Sequence, residues 1–177
     1  MAIKSGWEGR YYEDFEVNDV YIHPIGRTLS EVDNTWFTLL TCNTHQIHFN
    51  NHYAAKTEYG KTLMNSAFTL ALVAGLSVSD ISENAVANLS WDYIKLPNPV
   101  FAGDTLYSES VVVSKRESKS RPNAGIVRVK THGYNQDGKT VIEYIRTVLV
   151  YKRDGTPRNE IKEFRRKLAE SRPPEAK

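Results

Sequence analysis

Cysteine is nearly absent from this chain, with Cys42 as the single example among 177 residues. One cysteine excludes an internal disulfide and favours a reducing compartment. An excess of one charge is also missing, because 23 basic residues stand against 21 acidic ones, a net charge of +2. That excess is too small to indicate a nucleic-acid partner.

Long hydrophobic runs are missing as well. The most apolar stretch, residues 67–78, is shorter than the roughly 20 residues that cross a bilayer. The first seven residues, Met-Ala-Ile-Lys-Ser-Gly-Trp, lack the apolar core of a signal peptide. We therefore expect a soluble, cytoplasmic protein without a membrane partner.

The composition that remains is that of a globular domain, with 40% hydrophobic and 25% charged residues. The length fits one domain with short extensions. We predict an aromatic and acidic N-terminal lead-in over residues 1–18, a main domain over 19–153, and a charged helix and tail over 154–177. The tail is expected to fray near Arg172-Pro173-Pro174.

Helical signals lie in the first half of the chain. Ser30 and Asp33 have the spacing of a capping box before an apolar pattern of helical period, which predicts a helix from about Glu31 to Thr41. A short helix is expected through Tyr53–Ala55. The segment Ser66–Leu76 is apolar nearly all round, which indicates a buried central helix.

Strand signals dominate the second half. The turn Asp137-Gly138 predicts a hairpin, because this dipeptide suits positive φ angles. Strands in succession after one buried helix indicate an α+β fold with an antiparallel sheet curled around that helix. The expected strands cover residues 19–25, 85–96, 105–113, 125–134 and 141–151.

Three segments carry a resemblance to a known family. They are Phe37-Thr-Leu-Leu-Thr-Cys-Asn43-Thr-His45-Gln-Ile-His48, Gly60-Lys-Thr-Leu-Met-Asn65-Ser66, and Pro99-Val-Phe-Ala-Gly103-Asp104-Thr-Leu106. Over about residues 10–152 the chain resembles the MaoC-like dehydratase family, which implies the hotdog fold for residues 19–153. Cys42, Asn43, His45 and Gln46 stand where the family pattern has Gly, Asp, Asn and Pro, and Asn65-Ser66 replaces its His-Gly.

These departures resemble the branch that contains mesaconyl-CoA hydratase (β-methylmalyl-CoA dehydratase), as does the segment Arg116-Glu-Ser-Lys-Ser-Arg-Pro122. The resemblance implies a hydro-lyase that reversibly hydrates a short, branched or dicarboxylic enoyl-CoA thioester. It also implies a homodimer or a multiple of dimers, and no cofactor beyond the coenzyme A of the substrate. Two alternatives stay open, an acyl-CoA thioesterase and a non-catalytic acyl-CoA-binding subunit.

The same resemblance implies the site residues. His48 is the acid–base, since an imidazole titrates near neutral pH. Asn43 is its companion, although an amide can orient water but cannot take its proton. The backbone N–H of Ser66 is expected to bind the thioester oxygen at a helix N-terminus. Asn65, His45 and Asn50 are expected to position the substrate or tie the loop.

Basic residues are candidates for the rest of the ligand. Arg27, Arg116, Lys119 and Arg121 could bind coenzyme A phosphates or a second carboxylate, or the last three could form a solvated strand end and loop.

Two further features carry weaker expectations. His45, His48 and His52 have a spacing that could suggest a metal, but no Cys or Asp strengthens the set and the resemblance implies a metal-free site. Cys42 is expected to be a buried small residue rather than a nucleophile.

Overall fold

One antiparallel sheet organises this computed structural model, which describes Lys4 and residues 6–171. The six strands of the described residues follow the order β1-β4-β5-β6-β3, with β2 also paired to β4. Their bounds are Val20–Ile22 (β1), Arg27–Thr28 (β2), Ala85–Lys95 (β3), Thr105–Glu117 (β4), Ala124–Asn135 (β5) and Thr140–Tyr151 (β6).

The helices fall where the sequence predicts them. They are Glu31–Leu40 (α1), Asn51–Ala54 (α2), Ser66–Leu76 (α3) and Arg158–Glu170 (α4). The capping box of α1 is confirmed, because the Ser30 hydroxyl accepts from the Asp33 N–H and the Asp33 carboxylate accepts from the Ser30 N–H. No helix in the described part of the chain combines the length and apolar character needed to cross a membrane.

The central helix α3 packs one face against the sheet, which gives the predicted hotdog arrangement. Val73 and Leu76 join a core cluster with Leu106 and Ile142 of the strands. Gly133 allows this close approach, because a Cβ there would lie 2.7 Å from Ile142 and 2.9 Å from Val73. The expectation of a helix buried on all sides is wrong for this chain. Its opposite face is exposed and consists of Ser66, Ala67, Ala71 and Gly75.

The strand predictions hold in place but not in length. The first strand is shorter than 19–25 and ends at Ile22, whereas β4 extends four residues beyond the predicted Val113 to Glu117, where it still pairs with Gly125. The predicted hairpin turn is confirmed by a φ of 73° at Gly138. β4 and β5 therefore pair over a longer stretch than the sequence pattern indicates.

Both flanking segments pack on the sheet. In the lead-in, Tyr11, Tyr12 and Phe15 are buried, and Tyr12 lies over Gly125, where any side chain would collide with its ring. Helix α4 is tied to the lead-in by an ion pair between Lys162 and Glu8. The predicted fraying point, Arg172-Pro173-Pro174, lies outside the described residues.

A buried chain of polar side chains crosses the core. The His23 ring, with its proton on Nδ1, donates to Asp80 at 3.0 Å, and its Nε2 accepts from the Ser110 hydroxyl at 2.9 Å. Ser110 bonds in turn to Thr131 at 2.8 Å. Burial lowers the pKa of His23, against the opposing effect of the Asp80 carboxylate. His23 is therefore neutral at pH 7.

Candidate active site

A cleft opens at the N-terminal end of α3. Its volume is about 230 Å³. It lies between the segment that leads into α3 and the loop that follows β3, so two parts of the chain 30 residues apart form its walls. The lining residues are Tyr59, Leu63, Met64, Ser66, Thr69, Leu96, Pro97, Asn98, Pro99 and Val100.

His48 is hydrogen-bonded to Leu63, a residue of the cleft wall. The half-buried His48 ends a short 3-10 turn, and its Nδ1 lies 2.8 Å from the Leu63 carbonyl oxygen. Because a carbonyl only accepts, Nδ1 carries the proton and Nε2 keeps a free lone pair. The ring is thus held in the tautomer that a general base requires.

The N-terminus of α3 provides the second element of the site. Asn65 is the N-cap, and its side chain accepts from the Ala67 N–H at 2.9 Å. Among the hydrogen bonds of the described residues, none uses the N–H of Ser66. Ser66 lines the cleft, and its N–H belongs to the helix N-terminus, where the helix dipole favours an anionic oxygen.

The Pro99–Leu106 segment anchors the cleft to the sheet. Gly103 has a φ of 95°, a left-handed conformation that glycine adopts without strain. The turn places Val100 O where it accepts from Met64 N at 2.9 Å, and Phe101 pairs with Leu63. This sequence motif therefore holds the residues that immediately precede α3.

Asn43 follows the end of α1 and has a local structural contact. Its Oδ1 accepts from the His45 N–H at 2.9 Å. The amide N–H₂ of Asn43 donates to no described residue and remains free to hold water. The His45 and His48 rings pack edge to face, with 5.8 Å between their centroids.

Asn50 lies one turn beyond the histidine. It caps α2, where its Oδ1 accepts from Tyr53 N at 3.0 Å, and its amide donates to Gln46. The Oδ1 and the Nδ2 of Asn50 thus both make hydrogen bonds within the loop, which is the contact expected of a residue that ties the loop.

Sequence reasoning missed a buried asparagine behind the site. Asn34 of α1, 2% exposed, bonds to His48, Leu63 and Asn65 through its side chain. Only its helical spacing from Thr38, another buried polar residue, could have indicated this inward polar face.

A protein-family model described as mesaconyl-CoA hydratase matches residues 3–171. The chain belongs to the mesaconyl-CoA hydratase family. The match covers the cleft, the histidine loop and both flanking segments.

Two relatives are named as a hydratase and a dehydratase. The mesaconyl-CoA hydratase of Cereibacter sphaeroides is 36% identical over 146 residues, 82% of this chain and 42% of the relative. The β-methylmalyl-CoA dehydratase of Chloroflexus aurantiacus is 34% identical over 154 residues, 87% of this chain and 43% of the relative. The chain thus spans less than half the length of these relatives.

Solved structures agree with the hotdog assignment. A MaoC domain protein dehydratase from Chloroflexus aurantiacus superposes with a TM-score of 0.81 at 32% identity, over 86% of this chain and 43% of that one. A Mycobacterium tuberculosis protein described as a double hotdog fold superposes with a TM-score of 0.75 at 19% identity, over 82% and 45%. At that identity the second likeness concerns the fold alone.

The prediction that Cys42 is buried is wrong, because this residue is exposed. It has a φ of 55° just after α1, where the N–H groups of Cys42 and Asn43 donate to Leu39 O and Thr38 O. These two bonds form a Schellman motif, whose left-handed residue is usually glycine. Cys42 is thus fixed at the helix end, in the position of the MaoC-like Gly.

The basic candidates divide into two groups. Arg27 pairs with Asp33, and its guanidinium carbon lies 5.9 Å from the centroid of the Phe68 ring of α3. The exposed Arg116, Lys119 and Arg121 lie at the far end of β4, about 35 Å along the strand from the cleft. Within one chain the structure does not bring these three residues to His48.

Metal ligation was not expected, and the geometry offers no group for it within Lys4 and residues 6–171. No three His, Cys, Asp or Glu side chains of these residues lie close enough to hold an ion. His45 and His48 are neighbours, whereas His52 lies on α2 with an exposed side chain.

Proposed function

We propose that this chain catalyses the reversible addition of water to a short, branched or dicarboxylic enoyl-CoA thioester similar to mesaconyl-CoA. One observation carries the proposal. His48 Nδ1 lies 2.8 Å from the carbonyl oxygen of Leu63, a residue that lines the same cleft as Ser66, whose N–H bonds to no described residue. The names of the relatives support the reaction in both directions.

The chemistry follows from these two groups. His48 Nε2 removes a proton from water, whose oxygen attacks the β-carbon of the enoyl thioester. The electron pair of the double bond moves through the α-carbon to the thioester oxygen, where the N–H of Ser66 stabilises the enolate. The enolate then takes a proton at its α-carbon, and the reverse sequence expels water.

His48 serves both proton transfers in this proposal. None of the cleft-lining residues in the described chain is acidic, and Asn43 cannot accept a proton. The proton taken from water by His48 is therefore returned to the α-carbon. Asn43 orients the water through its free amide N–H₂. The reaction is redox-neutral and uses no cofactor.

In this proposal the four basic candidates bind parts of the substrate. They are Arg27, Arg116, Lys119 and Arg121. Arg27, which lies over the Phe68 ring of α3, is the candidate for a second carboxylate, in exchange for its contact with Asp33. Arg116, Lys119 and Arg121 stay as candidates for coenzyme A phosphates only where a second copy of the chain presents them to the cleft.

We propose a homodimer or a multiple of dimers as the assembly. Hotdog domains commonly pair their sheets across a two-fold axis. In the described residues β3 pairs on one side only, with β6, and exposes Leu89, Tyr93 and Ile94. The free, exposed thiol of Cys42 supports a cytoplasmic location, where thiols stay reduced.

The direct test uses three substrates. Purified protein is incubated with mesaconyl-, itaconyl- and crotonyl-CoA, and the loss of enoyl absorbance is followed. We expect turnover of mesaconyl-CoA and a lower kcat/KM with crotonyl-CoA, which lacks the second carboxylate. No turnover with any of the three would refute the hydratase function.

A parallel assay separates the alternatives. Release of free thiol identifies a thioesterase, whereas hydration leaves the thioester intact. Saturable binding of the three thioesters without loss of absorbance or release of thiol identifies a non-catalytic acyl-CoA-binding subunit.

A further inference from the structure

The side chain of Asn34 joins the three segments that form the site. Its Nδ2 donates to His48 O at 2.7 Å and to Leu63 O at 3.0 Å. Its Oδ1 accepts from the Asn65 N–H at 2.8 Å. One amide of α1 therefore contacts the histidine turn, the cleft wall and the cap of α3.

These contacts satisfy both donors of the amide and one acceptor position of its oxygen. Asn34 is 2% exposed, so water does not replace a lost contact easily. Leu63 O accepts from Asn34 Nδ2 and from His48 Nδ1. The two donors share a single carbonyl, which links the position of Asn34 to the tautomer of His48.

Thr38, one helical turn further along α1, adds a second connection. Its hydroxyl accepts from Asn65 Nδ2 at 3.3 Å, and its side chain is fully buried. Thus α1 holds Asn65 through both the backbone and the side chain. Asn65 in turn sets the start of α3 and the direction of the Ser66 N–H.

We propose that Asn34 is a positioning residue that fixes the distance between the base His48 and the oxyanion donor at Ser66. This inference rests on the proposed function, because it concerns the same two groups. The N–H and the base act on the two ends of one enoyl thioester, so their spacing must match the substrate. A displacement of about 1 Å in such a pair costs on the order of 100-fold in rate.

Asn34→Asp is the most specific variant. The carboxylate keeps the size of the amide and can still accept from Asn65 N–H. It cannot donate to both carbonyl oxygens, however: the ionised carboxylate is repelled by those of His48 and Leu63, and the protonated form can donate to only one of them. The histidine turn should therefore move away from Leu63, while the cap of α3 keeps its contact.

Asn84→Asp is the matched control. Asn84 is 3% exposed, and its Nδ2 also donates to two carbonyls, those of Glu8 and Arg10. Asn84 immediately precedes β3 and bonds to the N-terminal lead-in, not to the residues of the cleft. The same chemical change is thus made at a buried asparagine with the same two donor contacts to backbone carbonyls, whereas Asn84 Oδ1 accepts from no described group.

The experiment measures kcat and KM for mesaconyl-CoA together with the thermal midpoint of each variant. We expect Asn34→Asp to lower kcat by at least tenfold with KM changed less than threefold, and Asn84→Asp to leave kcat within twofold at a comparable loss of thermal midpoint. Thr38→Val removes one longer contact and is expected to lower kcat three- to tenfold. Thr38→Val replaces Asn34→Asp as the test variant if Asn34→Asp does not fold.

Equal losses of kcat in the Asn34 and Asn84 variants would overturn the proposal. An unchanged kcat in Asn34→Asp or Thr38→Val would overturn it as well.

A second readout does not depend on activity. The ¹⁵N shifts of the imidazole, assigned with His48→Asn, report which ring nitrogen of neutral His48 carries the proton. We expect the Nδ1–H tautomer in the unmodified chain and in Asn84→Asp, and a mixture in Asn34→Asp or, if that variant does not fold, in Thr38→Val. If the chain hydrates none of the thioesters, the proposed function fails, whereas an unchanged tautomer in the folded Asn34 or Thr38 variant refutes the positioning role by itself.

Discussion

The Nδ1 atom of His48 lies 2.8 Å from the carbonyl oxygen of Leu63. This contact assigns the ring proton to Nδ1 and joins the histidine turn to the segment before α3. One stretch of backbone, Leu63 to Ser66, therefore holds the base and contains the oxyanion donor.

His48→Ala and His48→Asn both remove the base, and we expect each to lower kcat by about 10²- to 10⁴-fold. The amide of His48→Asn can still donate to Leu63 O, so its thermal midpoint should exceed that of His48→Ala. Turnover of mesaconyl-CoA and thermal unfolding measure the two effects. His52→Ala, at an exposed histidine of the same loop, is the control that keeps full activity. Wild-type kcat in either His48 variant would exclude His48 as acid–base.

Stability is expected to fall at mildly acidic pH because of His23. Burial lowers its pKa below the ordinary 6.5, although Asp80 opposes this shift. As pH falls below about 6.5, the unfolded chain binds a proton at His23 that the folded chain does not bind. The stability contributed by the neutral ring is therefore present above pH 6.5 and decreases below it, by up to about 1.4 kcal/mol per pH unit.

Among the described residues, three other charged groups act on His23 or on its partner Asp80. Arg146 further lowers the pKa of His23, whereas Glu109 raises it, and Arg10 pairs with Asp80. Urea unfolding from pH 5 to pH 8 should show a smaller pH slope for His23→Gln than for the unmodified chain. Identical slopes between pH 5.5 and 6.5 would contradict the assignment to His23.

Cys42→Gly is expected to stabilise the fold. A left-handed residue other than glycine costs roughly 1–2 kcal/mol, and the greater freedom of glycine in the unfolded chain returns about 0.5–1 kcal/mol. The expected gain in unfolding free energy is therefore about 0.5–1 kcal/mol, measured by urea unfolding. Cys42→Ala keeps the strained φ of 55° and should show no such gain. A loss of stability in Cys42→Gly would show that the thiol itself contributes to the fold.

Replacing glycine by alanine is expected to have opposite effects on stability at two positions. Gly133→Ala places a Cβ 2.7 Å from Ile142 and 2.9 Å from Val73, and should destabilise the chain by about 1–3 kcal/mol. Gly75→Ala, on the exposed face of α3, meets no atom within 4 Å and should add about 0.5–1 kcal/mol. Thermal unfolding of both variants measures the difference. Equal effects of the two substitutions would contradict the packing of α3 on β5.

Local patterns predicted much of the fold because they depend on neighbouring residues. The capping box at Ser30 marked the start of α1, and Asp137-Gly138 marked the last hairpin. The length of β4 could not be predicted in this way, since its last residues are held by pairing with β5 rather than by their own polarity. Burial of Cys42 was also predicted wrongly, because its helix end faces solvent and its backbone, rather than its thiol, has the structural role.

The sequence by itself determined the family and the hotdog fold and made His48 the candidate acid–base, because short motifs such as Pro99–Leu106 preserve their spacing along the chain. Only the tertiary structure decided how these residues act together. It assigned the proton of His48 to Nδ1, separated Arg116, Lys119 and Arg121 from the cleft, and placed Asn34 behind the site. The physical reason is that hydrogen bonds such as Asn34 to Leu63 join residues 29 positions apart, and no local pattern in a single sequence records such a contact.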